Sequence, residues 1–376
     1  MGEMYFDYAS TTPVKQEVLD SMLPYLSSEY GNPSSHYRMG FHAHKVMEDS
    51  RAIIAATIGA EPDEIFFTSC GSEANTWAMT CLNKNYHCLK MGVPLISPIE
   101  HHSVLNSVQY PNFIDVDKYG VIDVDSLKDK IKDSTYIVST MMVNNEVGTI
   151  EPIKEIAPIC KERGIFYHVD GVQALGHIPI NVKELEGVTT LSLSGHKIGA
   201  PKGIGALYIR RDVQSYYRPL ICGGQQERGL RGGTENVAFI VGFAKACTLA
   251  KEDSLKLRGM TIYCWDFLKD NIPNTHMNGL PLLDKAHIPN ILNVSIDGIE
   301  GEELTELLNE QGFCISTGSA CNSDSAEPSH VLKAMGLSDD RANSSIRISL
   351  SGDTKLIEVN SLCQRIVEDV EMLRAE

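Results

Sequence analysis

The chain predicts an α/β protein, with a large domain on a mostly parallel sheet covered by helices and a smaller α+β domain. Three observations carry this expectation. Short apolar runs alternate with amphipathic stretches through the first two thirds of the 376 residues. Several of these runs are apolar at nearly every position, as in strands buried on both faces. After about residue 245 the pattern changes to longer helical stretches with fewer strands.

In chain order, strands are expected at 64–68, 94–97, 112–116, 136–142, 165–169, 189–194 and 205–210. Amphipathic stretches at 73–82, 124–131 and 154–163 lie between them. Such alternation implies a sheet covered on both sides, with any ligand beyond the carboxyl ends of its strands. One long helix is expected over 239–268. It is followed by a strand at 289–296, a helix at 302–311, a Ser/Gly-rich stretch near 316–325, a strand at 345–350 and a final helix at 355–373. The chain exceeds one domain's usual length. We divide it into residues 15–255 as the large domain, and 1–14 with 256–376 as the small one.

Bulk properties exclude several classes. A net charge of −16 gives no basic face for phosphates, so a nucleic-acid binder is not expected. No apolar run approaches a membrane span, and residues 1–7 lack the features of a secretory signal. The ten cysteines form no C-x-x-C pair, so neither a structural zinc site nor any resident metal is expected. The expectation is reduced thiols in a cytoplasmic enzyme.

Chemistry is expected just after the strands. The run Ile165 to Asp170 is an aliphatic strand ending on a carboxylate, which needs a partner when buried. A protonated pyridine nitrogen is one partner, and that pairing keeps pyridoxal phosphate an electron sink. The alternative is a carboxylate capping the next turn. Gln173 lies within reach of the same ring. The strand ending at Ser194 delivers His196 and Lys197 into a glycine-rich turn. A lysine there suits Schiff-base chemistry, with Lys202 reading as a surface charge. A helix is expected to begin near Ser72, and its backbone N–H groups suit a phosphate, with Ser194 and His196 completing the cup; Ser72 and Glu73 also fit a helix start with no ligand. His101 is placed to lie over an aromatic ring and move protons, or to start a helix. The amides of Asn144 and Asn145 suit a cofactor oxygen or a substrate carboxylate. Arg347 suits a carboxylate or an ordinary salt bridge. Arg228 and Arg231 sit in a polar loop that reads as an anion-reaching element. Cys321 is surrounded by small polar residues, either an accessible nucleophile or a harmless exposed thiol.

Together these residues resemble a family. The segments Tyr8–Pro13, Gly31–Ser35, the strand ending at Asp170, Ser194–Lys197, Arg231–Asn236 and Gly318–Cys321 occur in matching order. They resemble the NifS/IscS-type cysteine desulfurases, fold-type I pyridoxal-phosphate enzymes of class V, from about residue 5 to 373. The resemblance implies that Lys197 holds pyridoxal 5'-phosphate through a Schiff base and moves the substrate α-proton. Asp170 would pair with the ring nitrogen, Gln173 with the ring oxygen, and His101 would stack on the ring. Gly71, Ser72, Ser194 and His196 would bind the phosphate, with Thr234 of the partner subunit of a homodimer. Asn145, Asn32 and Arg347 would hold the substrate, L-cysteine. Cys321 would take its sulfur as a persulfide, releasing alanine, then pass it to an acceptor for iron–sulfur cluster assembly or tRNA thiolation, with transient cluster ligation open to it. The acceptor would be a scaffold protein or a thiolation enzyme. IscS-type members carry a longer C-terminal tail that engages a scaffold, so docking by such a tail is not expected here. Gly71-Ser72 stands where Ala-Thr is common, and Cys70 where glycine is usual.

Overall fold

The computed structural model describes residues 3–82, 92–250, 254–317 and 327–375. Cys321 therefore lies outside the described residues. The strands are β1 (Met4–Tyr5), β2 (Ile65–Thr68), β3 (Val93–Ile96), β4 (Asn112–Phe113), β5 (Thr135–Met141) and β6 (Phe166–Asp170). They continue with β7 (Thr190–Ser194), β8 (Gly205–Ile209), β9 (Thr275–Asn278), β10 (Ile291–Ile296), β11 (Phe313–Cys314) and β12 (Ser345–Ser349).

Seven strands form the main sheet in the order β2-β8-β7-β6-β5-β3-β4. The pairs β7/β6, β6/β5, β5/β3 and β3/β4 are parallel. Strand β8 runs antiparallel to both β7 and β2. Its cause is local: the turn 195–204 is too short for a crossover, so the chain folds back beside β7.

Successive residues of one strand enter different cores, which explains the unbroken apolar runs. Ile65 and Phe67 join one cluster and Phe66 the other; Ala206 and Tyr208 oppose Leu207 and Ile209. The first core is capped by helices Gln16–Ser27, Arg38–Thr57 and Val237–Leu249, through Val18, Met22, Ile54 and Phe243. The second is capped by helix Gly71–Thr80 through Ala74, Trp77 and Ala78. At about 1.5–3 kcal/mol for each large apolar side chain, burial on both faces dominates the sheet's stability.

The chain's second part carries the antiparallel sheet β12-β10-β9. Its core runs from Leu257 to Val370, with Phe6 added from the N-terminus. Strand β1 pairs in parallel with β11, which draws the N-terminal segment onto this part.

The single helix expected over 239–268 is a correction. One helix ends at Leu249, where Ala250 leaves helical geometry at ψ 72°, and another runs Ser254–Asn271. Each side has its own packing partner. Ile240 and Phe243 join the first core, whereas Leu257, Cys264 and Leu268 join the small sheet's core. The apolar period runs through the break because both halves are buried. No helix among the described residues is long and apolar enough to cross a membrane.

Candidate active site

A cavity of about 210 Å³ opens beyond the carboxyl ends of β5, β6 and β7. Gly71, Ser72, His101, Asn145, Asp170, Gln173, Ser194, His196, Lys197 and Arg347 all line it, although they come from six separate stretches of chain. Asn32 and Thr234 are exposed and do not line it within the single chain. Asn32 Oδ1 instead accepts from the Ser34 N–H at 2.9 Å.

Asp170 ends β6 and is 5% exposed. Its Oδ1 accepts from the Val172 N–H at 2.9 Å, and its Oδ2 from Asn75 Nδ2 at 2.7 Å. The turn-capping reading of this residue is borne out by the Val172 contact, and the same carboxylate also lines the cavity. Asn75 is a functional residue that the motif reading missed. It is buried one turn into helix Gly71–Thr80, and its second N–H donates to Ser103 Oγ at 2.9 Å. Its Oδ1 accepts from Ser192 Oγ and from His168 Nε2, the latter at 3.0 Å. His168 Nδ1 in turn meets Thr190 Oγ1 at 2.9 Å. Burial pushes His168 down to about 4, so it stays neutral and its Nε2–H can donate. All four positions of the Asn75 amide are therefore used.

His101 caps the short helix His102–Leu105, with Nδ1 accepting from the Ser103 N–H at 3.0 Å and facing Ser103 Oγ at 2.7 Å. That leaves Nε2 to carry the proton of the neutral ring. His102 and His330 also line the cavity, with their rings 4.5 Å apart. His330 is a further member that the sequence did not mark. It is set there by Val331 and Leu332, which pack with Ile99 and Val147 of the large sheet's side.

Lys197 sits in the turn after β7, and its Nζ donates to the carbonyls of Ala9 and Ser10 at 2.5 and 2.7 Å. Gln173 Nε2 donates to the same Ala9 carbonyl at 2.7 Å. His196 Nδ1 meets Thr11 Oγ1 at 3.1 Å, and the Thr12 N–H donates to the His196 carbonyl at 2.9 Å. The N-terminal segment thus forms one wall of the site. Burial, with the nearby Lys197 and Lys202 charges adding to it, pushes His196 down to about 4. Lys202 is exposed, as expected of a surface charge.

The residues expected to form a phosphate cup lie at the start of helix Gly71–Thr80 and the end of β7. Ser194 Oγ is buried with no hydrogen-bond partner among the described residues. A Cβ on Gly71 would meet Val172 Cγ2 at 2.7 Å, so a larger residue here requires the Val172 side chain to shift. Cys70 caps this helix, with Sγ accepting from the Glu73 N–H at 3.4 Å.

Two loop arginines are corrections. Arg231 pairs with Glu73 through Nε and Nη2 at 3.0 and 3.2 Å. Arg228 donates to the Asp63 and Ile65 carbonyls and lies 4.1 Å over the Phe66 ring. Both guanidiniums brace the loop against their own chain, because Glu73 and the open end of β2 stand beside them.

The chain matches the family described as Aminotransferase class-V over residues 4–362. It is 44% identical over 390 residues to Cysteine desulfurase IscS of Methanosarcina thermophila, covering 99% of this chain and 93% of that relative. Among solved structures, a NifS-like protein superposes with a TM-score of 0.90 at 36% identity, covering 98% and 100% of the two chains. SspA in complex with cysteine matches at TM-score 0.81 and 35% identity, covering 93% and 99%.

Proposed function

Because the chain belongs to the class-V aminotransferase family and, within it, to the cysteine desulfurases, we propose that this cavity removes sulfur from L-cysteine through Lys197, Asp170 and Cys321. The observation that carries this is the convergence of Lys197, the fixed Asp170 carboxylate and the unpartnered Ser194 Oγ on one cavity at the strand ends. These residues fit pyridoxal 5'-phosphate: Ser194, the Gly71–Ser72 helix start and neutral His196 suit its phosphate, and Asp170 its ring nitrogen. When bound, the cofactor supplies a carbonyl carbon for an amine and a sink for electrons released at Cα.

The chain's own residues then divide the work. Arg347, with Asn145, grips the substrate carboxylate and sets Cα toward Lys197, whereas Asn32 stands outside this chain's cavity. Lys197 Nζ removes the Cα proton and later returns a proton to the product. Asp170 keeps the ring nitrogen protonated. His101 would lie against the bound ring and would carry protons on Nε2. Cys321 attacks the substrate sulfur as thiolate, so an S–S bond forms as the C–S bond breaks. L-cysteine and the enzyme thiol become L-alanine and an enzyme persulfide. Thr234 of the partner subunit closes the phosphate cup in a homodimer, and a cytoplasmic acceptor protein takes the sulfur for cluster assembly or tRNA thiolation.

The test is alanine and sulfide release from L-cysteine by holoenzyme with a thiol reductant. Cys321→Ala should keep the near-visible absorbance of bound cofactor and lose sulfide release. Undiminished turnover by that variant rules the mechanism out.

A further inference from the structure

Arg347 does not stand alone in the cavity wall. Its Nη2 pairs with Asp7 Oδ1 at 2.7 Å, and its Nη1 donates to the Asn145 carbonyl at 2.9 Å. The pair is enclosed, with side chains 3% and 14% exposed. Asp7 is also held by its backbone: it bridges Ser349 beside β12, and its carbonyl accepts from the Ser10 N–H and the Tyr5 hydroxyl, each at 2.9 Å. This carboxylate is a fixed part of the site, on the segment that also meets Lys197 and His196.

We propose that Asp7 is a positioning residue: its carboxylate orients Arg347 and weakens the grip of Arg347 on an incoming carboxylate. The inference rests on the assignment of Arg347 as the substrate's carboxylate anchor. A guanidinium already paired presents little net charge to a third ion, and in an enclosed site solvent screens the Asp7 repulsion poorly. Substrate and product both carry an α-carboxylate, so an unopposed arginine would hold alanine as firmly as cysteine. Asp7 keeps that shared contribution small and lets the product leave.

The test compares holoenzyme variants by titration calorimetry with L-alanine and with ethylamine, which lacks the carboxylate, alongside KM for L-cysteine. Asp7→Asn keeps an oxygen acceptor for Nη2 and removes the charge. Alanine Kd and cysteine KM should both fall, by about threefold or more at the effective dielectric of a part-buried site, while ethylamine binding stays constant. Asp7→Ala, which also releases the guanidinium, should raise both. If Asp7→Asn fails to fold by thermal melt, Asp7→Ser supplies the same uncharged acceptor. Unchanged or weaker alanine binding in the uncharged variant, or an equal shift for ethylamine, overturns the proposal. Arg347→Gln separates the two readings. If it leaves cysteine KM unchanged, the anchor assignment fails; if it raises KM while Asp7→Asn changes nothing, only the role of Asp7 fails.

Discussion

Asn75 Nδ2 lies 2.7 Å from Asp170 Oδ2, so the carboxylate at the end of β6 is aimed by a helix that belongs to the phosphate cup. The same amide reaches Ser103, which touches His101 Nδ1. The Asp170 carboxylate and the His101 imidazole are thereby both set by one buried side chain.

Replacing Asn75 with Ala should therefore loosen cofactor binding more than it unfolds the protein. Asp170 would lose one of its two hydrogen bonds, and a bond to a charged group is worth about 1.5–3 kcal/mol. Cofactor Kd, read by titrating the apoprotein and following near-visible absorbance, should rise roughly 10- to 100-fold on the same scale. An unchanged Kd would remove Asn75 from the site's support.

Lys197 and Lys202 share a turn but differ in burial, the first part-buried and the second exposed. Borohydride reduction of the holoenzyme followed by peptide mapping should place the cofactor on Lys197. Lys197→Ala should lower alanine release by about 10²-fold or more, the loss of one positioned proton-transfer group. Label recovered on Lys202 would reverse the assignment.

The phosphate cup makes a separate demand on Gly71. Gly71→Ala would drive a methyl toward Val172 Cγ2, 2.7 Å from the ideal Cβ position, on the turn that also holds Asp170. Cofactor affinity should fall, with secondary structure by circular dichroism unchanged. Retained affinity would mean that Val172 moves aside freely.

A buried ion pair braces the β2 edge of the main sheet. Glu227 takes Arg51 through two contacts of 2.7 Å and also accepts from the Phe67 N–H at 2.8 Å. Glu227→Ala would leave the buried Arg51 guanidinium with only the partly exposed Glu48 as its carboxylate partner, a loss toward the lower end of about 3–5 kcal/mol. Denaturant unfolding should show it as a lower midpoint at similar slope, and a change below about 1 kcal/mol would place the pair among surface bridges.

The sequence made the strand ends legible because a chemical residue follows an apolar run in each case: Asp170 after Tyr167 and Val169, Lys197 after Leu191 and Leu193. What stayed hidden is what those strands turn toward the helix. Thr190, Ser192 and Ser194 alternate with Leu191 and Leu193, a period-two polar stripe inside a fully buried strand. A buried polar stripe needs a partner, and Asn75 fills that need opposite Ser192. The stripe was present in the sequence; its partner, over a hundred residues away, was not. His330 carried no local signal at all, since its place depends on Val331 and Leu332 docking far from their neighbours in the chain. The loop arginines misled for the opposite reason: a polar, glycine-rich context reads as open, and only the fold brings Glu73 and the Phe66 ring to them.

His168 offers a test in which the sign of a pH effect can be worked out. It is fully buried between Asn75 and Thr190, and burial pushes it from its ordinary 6.5 down to about 4. Between those values the unfolded chain binds a proton that the folded chain refuses. Stability from this group is complete above about pH 6.5 and is lost as pH falls toward 4. Glu100 acts in the reverse sense. Burial, with the Asp170 charge adding to it, holds its carboxyl well above the usual range, so its contribution is present at low pH and lost as pH rises. The two effects overlap in the whole protein, but a difference between variants isolates the imidazole, because Glu100 is common to both. His168→Gln keeps a group able to donate to Asn75 and does not titrate. Between pH 7 and pH 5 the wild type should lose on the order of 2 kcal/mol more unfolding free energy than this variant, from a shift of about 1.5 pH units at 1.36 kcal/mol each. Parallel losses in the two proteins would show that His168 takes up its proton without opening the Asn75 network.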